Sequence, residues 1–179
     1  MPADRPTDVP VLRDGALVLR PLAGDDEVAA LRTILLDPSV ARWWGMPRPG
    51  LDVALDWLDA DDDTFQWIID VDGVVAGSIQ ASEETDPDYR HAGIDLFLGP
   101  AHQGRGLGRV AIRLVARWLI DVRGHHRLTI DPSADNARAI AVYGSLGFRR
   151  VGEMRAYERG PDGTFHDGLL MDLLADELR

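Results

Sequence analysis

The chain has 179 residues, enough for one domain with its own hydrophobic core, and 45% of them are hydrophobic. It contains no cysteine, which excludes structural disulfides and a cysteine nucleophile and favours a reducing, cytoplasmic compartment. All 19 basic residues are arginine, so a lysine Schiff base is also excluded.

The net charge is −11, and the negative charge is concentrated in the middle of the chain. Residues 51–99 carry thirteen acidic side chains and one arginine, Arg90. Contacts with nucleic-acid phosphates need clustered cations, so no nucleic-acid partner is expected. The acidic surface either keeps the protein soluble, as we infer for 59–63, or attracts a cationic substrate, as we infer for 83–86.

No segment approaches the roughly 18 continuous apolar residues of a membrane span, and the N-terminus lacks the apolar stretch of a signal peptide. We therefore expect an intracellular protein without a membrane partner. The five histidines lack metal-ligand spacing, so no metal site is expected.

In chain order, residues 1–14 are polar and contain proline, which predicts an irregular lead-in before one domain over 15–179. Asp72-Gly73 lies between two apolar runs and is a strong hairpin signal. The order of elements predicts an α/β (α+β) domain with a mixed sheet of about six to seven strands and about four helices. The predicted elements are strand 16–22, helices 24–36 and 51–59, strands 65–71, 74–81 and 93–98, helix 107–120, strand 126–130, helix 137–146, and strands 148–156 and 169–174.

A glycine-rich loop connects the predicted strand 93–98 to a helix that starts at Leu107. Every second residue is glycine from Gly104–Gly108. The first N–H groups of a helix lack carbonyl partners and carry partial positive charge, and glycine lets an anion approach them. With Arg105 and Arg109 nearby, the loop predicts a phosphate site, although such loops also occur for backbone reasons alone.

Dinucleotide-binding loops use a related pattern, Gly-x-Gly-x-x-Gly, followed about 20 residues later by an acidic residue. Here the third glycine comes one position early, and Arg123 and Arg127 occupy the region where the acidic residue would stand. The dinucleotide interpretation is therefore disfavoured.

Two motifs together resemble the GCN5-related N-acetyltransferases. Residues 103–108, Gln-Gly-Arg-Gly-Leu-Gly, match the acyl-CoA pyrophosphate loop of that family, Gln-x-x-Gly-x-Gly. Residues 131–148, with Asn-x-x-Ala and Tyr-x-x-x-Gly-Phe, are similar to the segment that lines the thiol end of coenzyme A. The resemblance implies a single domain in which strands 94–98 and 126–130 splay to form an acyl-CoA slot.

The resemblance also implies which residues contact acetyl-CoA. They belong to the strand before the loop, where a backbone N–H would bond the acetyl oxygen, to the loop, and to the later helix. These residues are Phe97, Leu98, Gln103, Gly104, Arg105, Gly106, Leu107, Gly108, Arg109, Asn136 and Ala139.

In such enzymes an amine attacks the thioester directly, and the resemblance implies two catalytic residues. Asp95 is the candidate base; alternatively it orients the amine, or it is the outward-facing residue of an alternating strand. Tyr143 is the candidate acid for the leaving thiolate, the alternative being a core tyrosine.

Within the family, several details resemble the aminoglycoside 6′-N-acetyltransferases, which implies a polycationic small-molecule amine as acceptor. The resemblance assigns acceptor contacts to Trp44, Glu83, Glu84, Asp95 and Asp131.

The segment 19–22 is equally typical of relatives that acetylate ribosomal-protein N-termini. A siderophore-precursor acyltransferase and a non-catalytic acyl-CoA-binding module remain further alternatives, and either a monomer or a homodimer is compatible with the sequence.

Overall fold

The computed structural model describes residues 9–44, 52–59 and 63–179. Within these ranges the chain forms eight strands, five α-helices and two 3-10 turns. The strands are β1 Leu12–Asp14, β2 Leu17–Arg20, β3 Thr64–Val71, β4 Val74–Glu84, β5 His91–Leu98, β6 Arg127–Ile130, β7 Arg149–Arg159 and β8 Phe165–Leu174. The helices are α1 Asp25–Leu35, α2 Pro38–Ala41, α3 Val53–Leu58, α4 Leu107–Asp121 and α5 Ala137–Leu146, and the 3-10 turns are Pro100–His102 and Ala175–Glu177.

The eight strands form one mixed sheet in the order β1-β2-β3-β4-β5-β6-β8-β7, in which β5 and β6 are parallel and the other neighbours antiparallel. This confirms the predicted α/β class with a mixed sheet. The prediction of six to seven strands is slightly low. The additional strand, β1, lies in the segment expected to be irregular, where Leu12 pairs with Leu19 across a turn at Gly15.

Helices cover both faces of the sheet. On one face, α4 packs Ile112, Val115 and Leu119 against the main core. On the other face, Leu31 of α1 belongs to a second cluster with Ile68 of β3. The alternation of side chains along β3 sends successive residues to the two cores, as expected for a strand that is buried on both sides. None of the described helices has the length and apolar character to span a membrane.

Local sequence signals account for several element boundaries. Asp72 and Gly73 both have positive φ, 54° and 79°, as a two-residue turn of type I′ between β3 and β4 requires. Helix α4 begins at Leu107, as predicted. The short helix α2, which was not predicted, starts at Pro38 because the Asp37 side chain accepts a hydrogen bond from the Ser39 N–H.

The splay between β5 and β6 is present. These strands pair at two positions, Ala92 with Leu128 and Gly93 with Thr129. Beyond Gly93, β5 continues to pair with β4 as far as Leu98. The outer half of β5 therefore leaves a slot on its β6 side, and the predicted opening of the sheet is confirmed.

Candidate active site

A cavity of about 770 Å³ occupies the slot between β5 and β6. Its wall runs from the N-terminus of α4, past the start of α5, to the β7–β8 hairpin. Most residues that the sequence nominated for a site line it: Trp44, Asp95, Phe97, Leu98, Gln103, Gly104, Gly106, Leu107, Gly108, Arg109, Asp131, Asn136, Ala139 and Tyr143. The structure thus gathers residues from five separate segments of the chain around one space.

One end of the cavity is suited to phosphate. Gly104 and Gly106 have φ of 76° and 79°, a left-handed conformation that favours glycine and that turns the loop into α4. No side chain caps the N-terminus of α4, so its first N–H groups are available to an anion. Arg109 lies in the cavity wall, whereas Arg105 is exposed and outside it.

Gln103 ties the loop to the end of β5. Its Nε2 donates a hydrogen bond to the Leu98 carbonyl over 2.8 Å, and the Arg138 guanidinium lies 3.5 Å from its Oε1. Arg138 and His102 both line the cavity, and sequence reasoning missed them. The available signal for Arg138 was its position in the first turn of α5, beside the predicted contact Asn136.

The backbone of β5 presents donors to the slot. The Gly99 N–H donates to the Ala76 carbonyl on β4 over 2.8 Å. Backbone groups of successive strand residues point to alternate sides, so the N–H of Leu98 is directed toward the slot. The N–H of Phe97 points toward β4 instead. Of the two amides nominated from the sequence, that of Leu98 has the favourable direction.

Asn136 and Ala139 shape the start of α5. The Asn136 Oδ1 accepts a hydrogen bond from the Ala139 N–H over 3.1 Å and caps the helix. Both residues line the cavity beside Tyr143. The cap leaves the Asn136 amide NH₂ as a donor on this wall.

The other end of the cavity is acidic. Asp95, Asp131 and Glu158 all line it. Burial raises the pKa of Asp95 to about 6, and the negative charges of Asp131 and Glu158 add to this effect. Burial and the charge of Asp131 likewise raise the pKa of Glu158. Among the described residues, no salt bridge involves any of these three carboxylates.

Two tyrosines accompany the carboxylates. Tyr143 is 9% exposed, with its ring 6.3 Å from that of Phe148. Burial, followed by the charges of Asp95 and Asp131, raises its pKa, so the hydroxyl stays protonated. Interaction with the Asp131 carboxylate, followed by burial, raises the pKa of Tyr157 to about 12. Sequence reasoning missed Tyr157 and Glu158, because they lie on a strand without a recognisable motif.

Glu83 and Glu84 lie away from the cavity. Glu83 accepts hydrogen bonds of 2.9 and 2.7 Å from Arg123, its Oε1 lies 2.7 Å from the His125 Nε2, and its side chain is 5% exposed. Glu84 accepts a hydrogen bond from the Asp86 N–H over 2.9 Å. Neither carboxylate is therefore placed where the sequence suggested a substrate, and Asp131 and Glu158 supply the negative charge instead.

The aromatic wall is built on Trp44. Its ring meets that of Trp57 edge-on at 4.9 Å and that of Phe97 at 5.8 Å. Trp44 lines the cavity, and so does its neighbour Trp43, whose ring lies 4.4 Å from the Arg42 guanidinium carbon. This wall adds aromatic surface to the cavity.

Comparisons with known proteins agree with this architecture. The sequence profile of the acetyltransferase (GNAT) family matches residues 22–148. Aminoglycoside N(6′)-acetyltransferase type 1 from Klebsiella pneumoniae is 32% identical over 160 residues, which cover 79% of this chain and 77% of the relative.

Two solved structures show the same fold. A spermidine N-acetyltransferase from Vibrio cholerae, in complex with CoA and spermine, has a TM-score of 0.76 at 18% identity and covers 92% of this chain and 98% of its own. A ribosomal-protein-S5-alanine acetyltransferase from Vibrio fischeri has a TM-score of 0.76 at 17% identity, with coverage of 94% and 98%.

Proposed function

The chain belongs to the GNAT family of acetyltransferases, and we propose that it transfers the acetyl group of acetyl-CoA to the 6′-amino group of an aminoglycoside. The observation that carries this proposal is the polarity of the cavity. One end presents helix N–H groups and arginine, and the other presents three carboxylates that form no salt bridge in the described part of the chain. A diphosphate-bearing donor fits the first end and a polycationic acceptor fits the second.

The residues at the basic end fit coenzyme A. The uncapped N–H groups of α4 and the guanidinium groups of Arg109 and Arg138 would hold the diphosphate. The Leu98 N–H would bond the acetyl oxygen, where negative charge develops as the amine attacks. Acetyl-CoA supplies the thioester; the chain supplies position and electrostatic stabilisation.

At the acidic end, Asp95 would orient the amine and accept its proton. Its pKa of about 6 makes it a better acceptor than an ordinary aspartate, because the mismatch with an alkylammonium group is smaller. Asp131 lies beside it and would hold the substrate's positive charge. The acceptor is thereby fixed for attack from this side of the slot.

Tyr143 would complete the transfer. As the nitrogen–carbon bond forms, the carbon–sulfur bond breaks and the hydroxyl of Tyr143 donates its proton to the departing thiolate. Its raised pKa keeps that proton in place until the sulfur gains charge. The proton taken by Asp95 then returns to solvent, and Tyr143 is reprotonated.

Thiol release across a panel of acceptors tests the proposal. We expect turnover of acetyl-CoA with tobramycin and kanamycin, and a KM for these polycations that rises with salt because partly exposed charge pairs are screened. A peptide N-terminus and spermidine serve as competing acceptors. Turnover of the peptide without turnover of either aminoglycoside would contradict the proposed acceptor class.

A further inference from the structure

Strand β7 departs from regular pairing beside the cavity. Met154 pairs with Gly168 and Glu158 pairs with His166, so three residues of β7 face one residue of β8. At the centre of this bulge, Ala156 has a φ of 49° and its N–H donates to the Asp167 Oδ1 over 2.7 Å. Residues other than glycine seldom adopt this conformation, and such strain is often found at functional sites.

The bulge changes which side chains face the cavity. Consecutive residues of a regular strand point to opposite faces. Here Tyr157 and Glu158 are consecutive, yet both line the cavity. The two differ in exposure, since Tyr157 is 51% exposed whereas Glu158 is half-buried and makes no salt bridge within the described residues.

Glu158 is the member of the acidic end furthest from the slot in the order of the sheet. Asp95 lies on β5 and Asp131 follows β6, the two strands that border the slot. Glu158 lies on β7, the outermost strand of the sheet. Its carboxylate is half-buried, so a cation that reaches it is partly shielded from solvent.

We propose that Glu158 is a specificity-determining residue that binds a second ammonium group of the acceptor, and that the β7 bulge aims it into the cavity. Asp95 and Asp131 face the amine that is acetylated. The inference rests on the proposed function in one respect, that the acceptor is an amine with more than one ammonium group.

The test compares Glu158→Gln with Glu153→Gln, a matched loss of charge at an exposed position of the same strand outside the cavity wall. Steady-state kinetics are measured with tobramycin, which has several ammonium groups, and with butylamine, which has one. For Glu158→Gln we expect about a tenfold rise in the KM for tobramycin, with kcat and the KM for acetyl-CoA within about twofold of wild type. Butylamine kinetics should change less than about twofold, and Glu153→Gln should change none of these values.

Equal losses for the two acceptors, or no loss for tobramycin, would overturn the role of Glu158. If spermidine is turned over and tobramycin is not, the aminoglycoside proposal fails, and the comparison of spermidine with butylamine decides the role of Glu158 by the same criterion. Absence of turnover with every amine would overturn both proposals.

Discussion

At the scale of single residues, Asp95 has the most informative environment. Its pKa of about 6, set by burial and by the nearby Asp131, places its loss of a proton within the working range of an enzyme assay. The kcat/KM of the wild type should therefore rise with pH through about 6. Asp95→Asn should lose this rise and lower kcat about a hundredfold. A retained inflection near pH 6 in the variant would assign that titration to another group.

The buried carboxylate of Asp95 should destabilise the folded protein. The pKa of Asp95 is higher in the folded protein than its ordinary value of 3.8. The contribution of Asp95 to stability is therefore full below about pH 4 and is lost as the pH rises through about 6. Urea unfolding should show Asp95→Asn to be more stable than wild type at pH 7 by roughly 1 to 3 kcal/mol, with little difference at pH 4. A variant less stable at pH 7 would contradict this account.

Tyr143 permits a cleaner test of proton donation. Tyr143→Phe keeps the buried ring and its packing on Phe148 and removes the hydroxyl. If the hydroxyl protonates the departing sulfur as proposed, kcat should fall by about 10- to 100-fold while the KM for acetyl-CoA stays within about twofold. Pre-steady-state measurement of thiol release would locate the loss in the chemical step. An unchanged kcat would remove Tyr143 from the mechanism.

At the scale of elements, the start of α4 can be tested as the binding site of the diphosphate. Gly106 and Gly163 have nearly identical φ of 79° and 80°, but Gly106 caps α4 at the cavity whereas Gly163 lies in the turn between β7 and β8. Alanine at either position should cost about 1 kcal/mol of stability. Calorimetry with coenzyme A should show about tenfold weaker binding for Gly106→Ala and unchanged binding for Gly163→Ala. Equal affinities of the two variants for coenzyme A would mean that the diphosphate binds elsewhere.

Helix α4 also shows why element boundaries were predictable here. Three signals are local in the sequence: the loop glycines, the apolar period from Leu107 and the Asp72-Gly73 turn. The helix and the turn lie at the positions that these signals predict. Strand β1 was missed because a run of three residues between polar neighbours has little intrinsic preference for a strand. It forms through pairing of Leu12 with Leu19, which depends on a neighbouring strand.

At the scale of the whole molecule, Glu83 joins distant segments. It connects the end of β4 to Arg123 and His125, which follow α4. Burial opposes ionisation of Glu83, but hydrogen bonds from Arg123 and His125 outweigh it and leave the pKa lowered. Its ionised form therefore stabilises the fold above about pH 4.5, and this contribution is lost as the pH falls.

Glu83→Gln should lower the free energy of unfolding by about 2 kcal/mol at pH 7, because it removes the buried carboxylate that pairs with Arg123 and bonds His125. The neighbouring substitution Glu84→Gln removes the same charge from an exposed carboxylate and should cost at most about 0.5 kcal/mol. Urea unfolding measures both. Acetyl-CoA kinetics should be unchanged in each; a large rise in the KM of Glu83→Gln would show that this network reaches the cavity.

The sequence by itself determined the fold class and nominated a loop for phosphate and two catalytic residues, since motifs and hydrophobic period are local properties of the chain. The tertiary structure alone decided which carboxylates share the cavity. Glu83 carried the expected charge but is paired with Arg123 and His125, while Glu158 reaches the cavity through a bulge in β7. Side-chain direction on a strand depends on register and on non-local partners, and these exist only once the sheet has formed.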